Sequence, residues 1–159
     1  MQNQLHSLGT YEFKLEVPMV AWVTILVIIT ILIIVLLTII FPVVLFKIVL
    51  SDNEMIIGAP LTPSIKINRD DIESIALISL SEHQELKPTL RLFGVGLPGL
   101  KIGWFKLSNG KKAFLAINKW GSEALIIELK DGNLVILSPK DFNDFKSKLK
   151  LLGWIKSSS

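Results

Sequence analysis

The run from Val17 to Phe46 contains no charged side chain and consists mostly of Ile, Leu, Val and Phe. A helix from Met19 to Phe41, rising about 1.5 Å per residue, reaches roughly 34 Å, and the hydrocarbon core of a bilayer is about 30 Å thick. Two spans joined by a turn need roughly 40 residues, which is more than this run offers. The run therefore predicts one transmembrane α-helix, over residues 18–42.

A removable signal peptide and a buried core helix are the other interpretations of such a run. A signal peptide has a basic leader, an apolar stretch of about 7–15 residues and a small-residue cleavage site. Here the leader contains Glu12, Lys14 and Glu16, and no such cleavage site follows Phe41. A helix that is apolar on every side is buried only within a large protein, and the rest of this chain is too short to enclose it. We therefore expect a retained membrane anchor.

The remainder of the 159-residue chain is long enough for one domain of about 110 residues. The chain has no cysteine, which excludes disulfides and thiolate metal ligands. Its formal net charge of +3 suits contact with an anionic membrane surface. It is far from the dense basic stripe of nucleic-acid-binding proteins, so no nucleic-acid partner is expected.

Orientation in the membrane follows from the basic residues close to the span. Only Lys14 lies near the span on its amino side. Three basic residues follow on the carboxyl side: Lys47, Lys66 and Arg69. Because such residues favour the cytoplasmic side, we expect a single-pass protein of the cell membrane with its C-terminal domain in the cytoplasm.

The borders of the span carry two further signals. In the leader, residues 1–17, apolar and charged residues alternate from Tyr11 to Val17, a period that indicates a short strand. Pro42 lacks an amide hydrogen and disfavours helical geometry at Phe41, so the helix is predicted to end there.

After the span, short apolar runs separated by turn residues indicate antiparallel strands. A first hairpin is predicted from 43–50 and 55–58. Asn109-Gly110 and Asp131-Gly132 are strong hairpin signals because both turn positions tolerate positive φ. The remaining strand signals lie at 65–67, 72–80 and 90–93, and the hairpin strands at 102–108, 111–117, 124–129 and 134–137. We interpret this pattern as roughly seven strands in a curved antiparallel sheet.

A C-terminal helix over residues 139–152 completes the predicted domain, residues 43–153. Ser138 is the expected N-cap, Pro139 the first helical residue, and Asp141 lies near the positive end of the helix dipole. The apolar positions follow helical spacing: Phe142, Phe145, Leu149 and Leu152. Residues 154–159 are expected to form a tail.

The stretch Gly94–Lys111, with Gly-Leu-Pro-Gly leading into Gly-Trp-Phe, is followed later by Leu137-Ser138-Pro139 and a helix. These features resemble the pleckstrin-homology-like (PH-like) domains of prokaryotes, both bacteria and archaea, which often follow a transmembrane segment. The resemblance extends from about Val43 to Leu152. It implies a mostly β fold, namely a seven-stranded antiparallel barrel capped by the C-terminal helix. It also implies a binding or scaffolding module that is not an enzyme.

Candidate sites for chemistry are sparse. Gly94–Gly99 has the spacing of a dinucleotide-binding loop, but a strand signal rather than a helix follows it, so we interpret it as a structural loop beside Trp104. His6 and His83 have no neighbours at metal-ligand spacing. We therefore predict no catalytic residue, no cofactor and no metal site.

The candidate binding residues are basic and lie on or next to the Asn109-Gly110 hairpin: Arg91, Lys101, Lys106, Lys111 and Lys112. Each Lys near an acidic leaflet contributes about 1 kcal/mol to binding. The same residues also fit a solvated face, because edge strands commonly carry Lys to prevent pairing with other chains.

Two functions fit this sequence. The first is a membrane-anchored scaffold, or accessory subunit of a membrane complex, whose domain binds a protein partner or a second copy of itself. The alternative is a module that binds anionic lipid headgroups through the Lys-rich hairpin 101–112. Salt-dependent vesicle binding would distinguish the second from the first.

Overall fold

The computed structural model describes residues 14–60 and 62–156. The chain forms two compact units that divide between Ile40 and Phe41. Residues 14–18 have no regular secondary structure, and the rest of the predicted leader strand lies outside the described residues. The first helix, α1 (Met19–Val44), follows.

α1 is long and apolar enough to cross a membrane by length and composition, with a mean hydropathy of 3.2 over Met19–Thr38. The hydroxyls of Thr24, Thr30 and Thr38 each donate to the carbonyl four residues earlier, so these polar groups need no partner outside the helix. α1 ends at Val44, so the prediction that the helix ends at Pro42 was wrong by two residues. Although a proline removes one N–H bond, amides after it still bond to the last turn, as the Leu45 amide does to the Phe41 carbonyl (3.2 Å).

The second unit contains, in its described part, nine strands and one helix. The strands are β1 (Lys47–Leu50), β2 (Glu54–Gly58), β3 (Ile65–Asn68), β4 (Ile72–Ser79), β5 (Pro88–Leu97), β6 (Leu100–Leu107), β7 (Lys112–Ile117), β8 (Glu123–Leu129) and β9 (Leu134–Ser138). The helix is α2 (Phe142–Leu151). Short 3₁₀ turns at Arg69–Asp71 and Gln84–Leu86 lie on either side of β4.

The strands form two sheets, one in the order β1-β2-β3 and the other in the order β4-β8-β9-β7-β6-β5. The mostly β prediction holds, but the seven-stranded antiparallel barrel was wrong, because the sheets do not close and β7 and β9 run parallel. The segment after β7 crosses over so that the β8–β9 hairpin places β9 beside β7. The short strands predicted at 65–67 and 90–93 are extended in the structure to β3 and β5, because neighbouring strands supply ladder bonds that a local pattern cannot reveal.

The hairpin predictions are confirmed. Asn109-Gly110 joins the antiparallel pair β6–β7, and Asp131-Gly132 joins β8–β9; both glycines have a φ of 82°. β1 and β2 also pair as predicted. Their hairpin starts at Lys47 rather than at residue 43, because α1 extends to Val44.

The predicted start of the C-terminal helix was wrong. Ser138 is the buried last residue of β9, where it is paired with Ile117, and this ladder keeps its backbone extended. Its hydroxyl donates to the Glu123 carbonyl (2.7 Å) and lies 2.7 Å from the Ser122 hydroxyl, so its hydrogen bonds are to the connection before β8 and the start of β8 rather than to α2. The N-cap of α2 is Asp141.

The inner strands of the six-stranded sheet are buried on both faces. One face packs with the three-stranded sheet and α2, and the members of this cluster include Met55, Ile57, Ile67, Phe114, Leu125, Ile127, Phe145 and Leu149. The opposite face packs under the connection between β4 and β5, and its members include Leu80, Leu86, Phe105, Leu107, Leu115 and Ile136.

The segment after α2 belongs to this core rather than to a tail. Trp154 is buried, and its indole N–H donates to the Ser51 carbonyl (2.9 Å). The Arg69 guanidinium lies 4.8 Å from the Trp154 ring centroid and donates to the Leu152 carbonyl (2.8 Å). These contacts attach the end of α2 to the three-stranded sheet and to the turn that follows β3.

Candidate interaction surface

β5 is an edge strand whose neighbour in the described sheet is β6. Four of its large apolar side chains are exposed: Leu90 (56%), Leu92 (45%), Phe93 (64%) and Leu97 (44%). Sequence reasoning predicted a strand only at 90–93 and did not identify this surface. The signal that was available is the number of bulky apolar residues, which is high for a ten-residue strand with solvent along one edge.

Two glycines allow β5 and β6 to pair closely. Gly94 and Gly103 are direct partners, with φ values of 129° and 117°. A Cβ at Gly94 would lie 2.1 Å from the Ile102 carbonyl oxygen, and a Cβ at Gly103 would lie 2.3 Å from that of Phe93. No other residue type fits either position without moving the backbone.

The loop interpretation of Gly94–Gly99 was therefore wrong in part. Residues up to Leu97 continue β5, and Pro98-Gly99 forms a tight turn into β6. Because a strand follows the glycines, this segment lacks the helix N-terminus that a dinucleotide pyrophosphate site requires.

A shallow apolar recess of about 390 Å³ lies beside the edge strand. Its lining residues are Leu92, Phe93, Trp104, Lys112 and Asn133. The Trp104 ring packs edge-to-face on Phe114, with a centroid separation of 5.5 Å, which holds the indole in place. The recess thus combines aromatic surface with one cation.

The predicted basic residues do not all lie together. Lys106 and Lys112 are direct partners in the β6–β7 ladder. Lys101 lies five positions before Lys106 on β6, so its side chain leaves the opposite face. Arg91 is paired with Phe105, which places it on the same face as Lys101.

Lys111 differs from the other four, because its ammonium lies 2.7 Å from a carboxylate oxygen of Glu128. Arg91, Lys101, Lys106 and Lys112 have no carboxylate within 4.0 Å among the described residues. The five candidate residues therefore form two pairs and a remainder. Arg91 and Lys101 share one face of the sheet, Lys106 and Lys112 share the other, and Lys111 is paired with Glu128.

The other edge of the same sheet, β4, has different side chains. Its exposed residues are Glu73, Ser74 and Ala76, which are charged or small. Ile75 and Leu77 line a recess that α2 and the segment Gly153–Lys156 also line. α2 and the segment Gly153–Lys156 therefore lie near side chains of β4, which carries little exposed apolar surface.

A second cleft, of about 430 Å³, lies between β1 and the start of α2. Its lining includes the apolar Phe46, Ile48 and Phe145, and its charged residues have both signs: Lys47, Lys140, Lys148, Asp141 and Asp144. Throughout residues 14–60 and 62–156, every buried side-chain nitrogen or oxygen has a hydrogen-bond partner. The same residues contain no group of three or more potential metal ligands.

His83, for which no neighbour at metal-ligand spacing was predicted, lies beside Glu85. Its Nδ1 is 2.7 Å from a Glu85 carboxylate oxygen, and this hydrogen bond lowers the pKa of the exposed Glu85 carboxyl below its ordinary value of 4.5. The pair lies in the connection between β4 and β5.

Comparison with known protein families gives a match to the family described as Bacterial PH domain, over residues 46–152. The residues that suggested this resemblance, in 94–111 and 137–139, lie within the matched range, so the resemblance is confirmed. Neither the curated proteins nor the solved structures give a match.

Proposed function

The chain belongs to the bacterial PH domain family, and from that premise we propose that it is a non-catalytic, membrane-anchored module that binds a protein partner through β5. PH-like domains are generally binding modules for proteins or lipids. The role proposed is that of a scaffold or accessory subunit in a membrane complex.

The anchor in this proposal is α1, which holds the protein in the cell membrane as a single span. Its apolar length and its internally bonded threonines support this role. The basic residues that follow the span, beginning with Lys47, favour a cytoplasmic position for the domain.

The observation that carries the proposal is the open edge of β5. An exposed strand edge presents unpaired N–H and C=O groups, and exposed apolar side chains beside it favour association. A partner strand satisfies the backbone groups and covers the side chains. Burying the exposed half of four such side chains contributes roughly 3–6 kcal/mol before the cost of association.

Anionic lipid headgroups are the second candidate partner, because Lys106 and Lys112 face each other beside Trp104 without a carboxylate within 4.0 Å in the described chain. The hairpin 101–112 would then contact phosphate. At about 1 kcal/mol for each Lys, two lysines on one face give weak binding. Lys111 contributes less, because Glu128 already neutralises it.

Site-specific photo-crosslinking in intact membranes tests the proposal. A photoreactive phenylalanine analogue at Phe93 of the full-length chain is expected to form a discrete adduct with another protein. The adduct should disappear with Leu92→Ser and should be absent when the analogue replaces Leu151, which is 77% exposed on α2. Adducts with lipid alone, or no adduct at Phe93, would overturn the proposal in favour of lipid binding or of no partner at β5.

A further inference from the structure

We infer that the segment bound by β5 is an extended strand in which apolar residues alternate with Asp or Glu. This inference rests on the proposed binding through β5 and specifies the chemistry of the partner. Three observations support it: the charge of the strands behind the edge, the position of Arg91, and the backbone groups of the edge itself.

The charge at this edge has one sign. β5, β6 and β7 contain four basic residues, Arg91, Lys101, Lys106 and Lys112, and no Asp or Glu. On the β4 side of the sheet, by contrast, β4 and β8 contain three acidic residues: Glu73, Glu123 and Glu128. The strands at the open edge therefore carry positive charge that no Asp or Glu of the same strands offsets, and this charge attracts an anionic partner.

Arg91 is positioned to contact an added strand directly. It lies on β5, so a residue opposite it on a neighbouring strand has its backbone about 5 Å away. The Arg91 Cδ lies 3.6 Å from where a Cβ on Gly96 would be, so the side chain extends over β5 itself. Lys101 lies on the next strand on the same face as Arg91, and Phe93 lies on the other face, opposite Trp104. An added strand with alternating residues can therefore direct its acidic side chains to the cations on one face and its apolar side chains to the other.

The charge and the backbone groups of β5 also favour such a strand over a second copy of the chain and over a bilayer. A second copy of the chain would bring the same four cations against these four, which opposes pairing. A bilayer would leave the outward N–H and C=O groups of β5 without hydrogen-bond partners in hydrocarbon. A partner strand that carries carboxylates satisfies both the backbone and the charge.

Two synthetic ten-residue peptides test the inference with the full-length chain in nanodiscs of zwitterionic lipid. Both have Val at alternate positions, and the intervening positions are Glu in one peptide and Lys in the other. We expect the Glu peptide to bind at least about 10-fold more tightly than the Lys peptide. N-methylation of its backbone amides should abolish binding, because the ladder bonds are then lost.

Charge reversal on the protein provides the matched control. Arg91→Glu is expected to weaken binding of the Glu peptide about 10-fold or more and to improve binding of the Lys peptide. Lys130→Glu makes the same change of charge in the exposed turn after β8 and should leave both affinities unchanged.

The possible failures are distinguishable. Equal affinity for the Glu and Lys peptides, with binding still lost on N-methylation, would overturn the inference about charge and leave β5 as the binding edge. Crosslinks from Phe93 to a second copy of the chain would also overturn it. If neither peptide binds and Phe93 gives no protein adduct in membranes, the proposed function itself fails.

Discussion

The six-stranded sheet ends in β4 on one side and β5 on the other, and the two edges differ in how they are protected. β4 exposes small or charged residues, and α2 and the segment Gly153–Lys156 line a recess with it. β5 exposes Leu and Phe and has four cations in or behind it. Natural sheets protect their edges with charge, proline, bulges or covering elements. β5 has two bulges and an initial proline but no described covering element, so the large exposed apolar side chains of β5 are what distinguish it from β4.

The largest expected effect concerns the segment beside the protected edge. Trp154→Ala removes a buried indole, its hydrogen bond to Ser51 and its contact with Arg69, and should lower the free energy of unfolding by about 3–5 kcal/mol. Urea denaturation of the full-length protein in detergent, followed by near-UV circular dichroism, measures this change. Trp154→Phe should retain most of the stability. Equal losses from both variants would mean that the hydrogen bond, rather than packing, holds the segment.

The next largest effect is expected from a substitution that separates the edge strand β5 from β6. Gly103→Ala places a Cβ 2.3 Å from the Phe93 carbonyl oxygen at a φ of 117°, and should cost about 2–3 kcal/mol and separate β5 from β6. Gly96→Ala is the matched control, because a Cβ there meets its neighbours at ordinary distances of 3.6 Å or more. Hydrogen exchange should show loss of protection in β5 and β6 but not in β4. Unchanged protection in all three strands would contradict the close pairing of the two glycines.

A third substitution places a charged side chain on the exposed surface of β5, where β4 already has one in Glu73. Phe93→Lys should alter the free energy of unfolding by only about 0.5 kcal/mol, because the side chain is 64% exposed. It should nevertheless reduce partner capture, since a charged residue discourages pairing at a strand edge. Crosslinking to the partner in intact membranes and denaturation of the same variant measure the two effects. A loss of stability above 2 kcal/mol would show that Phe93 belongs to the fold rather than to an open surface.

The smallest effect concerns the connection between the two edges. Because the His83 hydrogen bond lowers the folded-state pKa of the Glu85 carboxyl, the stability it contributes is present above the ordinary value of 4.5 and is lost as the pH falls through the lowered folded value. The wild type should therefore lose slightly more stability than His83→Ala when the pH is lowered from 6 to 3. Thermal midpoints across that range measure the difference. Parallel pH profiles for the two proteins would show that the pair does not contribute.

Local turn chemistry was predictable because it depends on neighbouring residues. Asn109-Gly110 and Asp131-Gly132 determine their hairpins through residues that accept positive φ, and both predictions were confirmed. Ser138 misled the same kind of reasoning. It has the chemistry of an N-cap, but pairing with β7, which is distant in the sequence, keeps it in a strand.

The candidate binding surface was predictable only in part. The sequence identified five basic residues near one hairpin, but strand register decides which face each occupies. That register separates Lys101 from Lys106 and brings Lys106 opposite Lys112. The edge position of β5 was not predictable, because the order of strands in a sheet depends on long-range pairing.

By itself, the sequence determined one long apolar helix, a β domain after it and the positions of its tight turns, because hydrophobic length and backbone preference act over a few neighbouring residues. Tertiary structure alone decided that the sheets stay open, that β5 with its large apolar side chains is an edge strand, and that Trp154 is buried. The reason is physical: which backbone groups and apolar side chains remain without a neighbour depends on contacts between residues far apart in the chain.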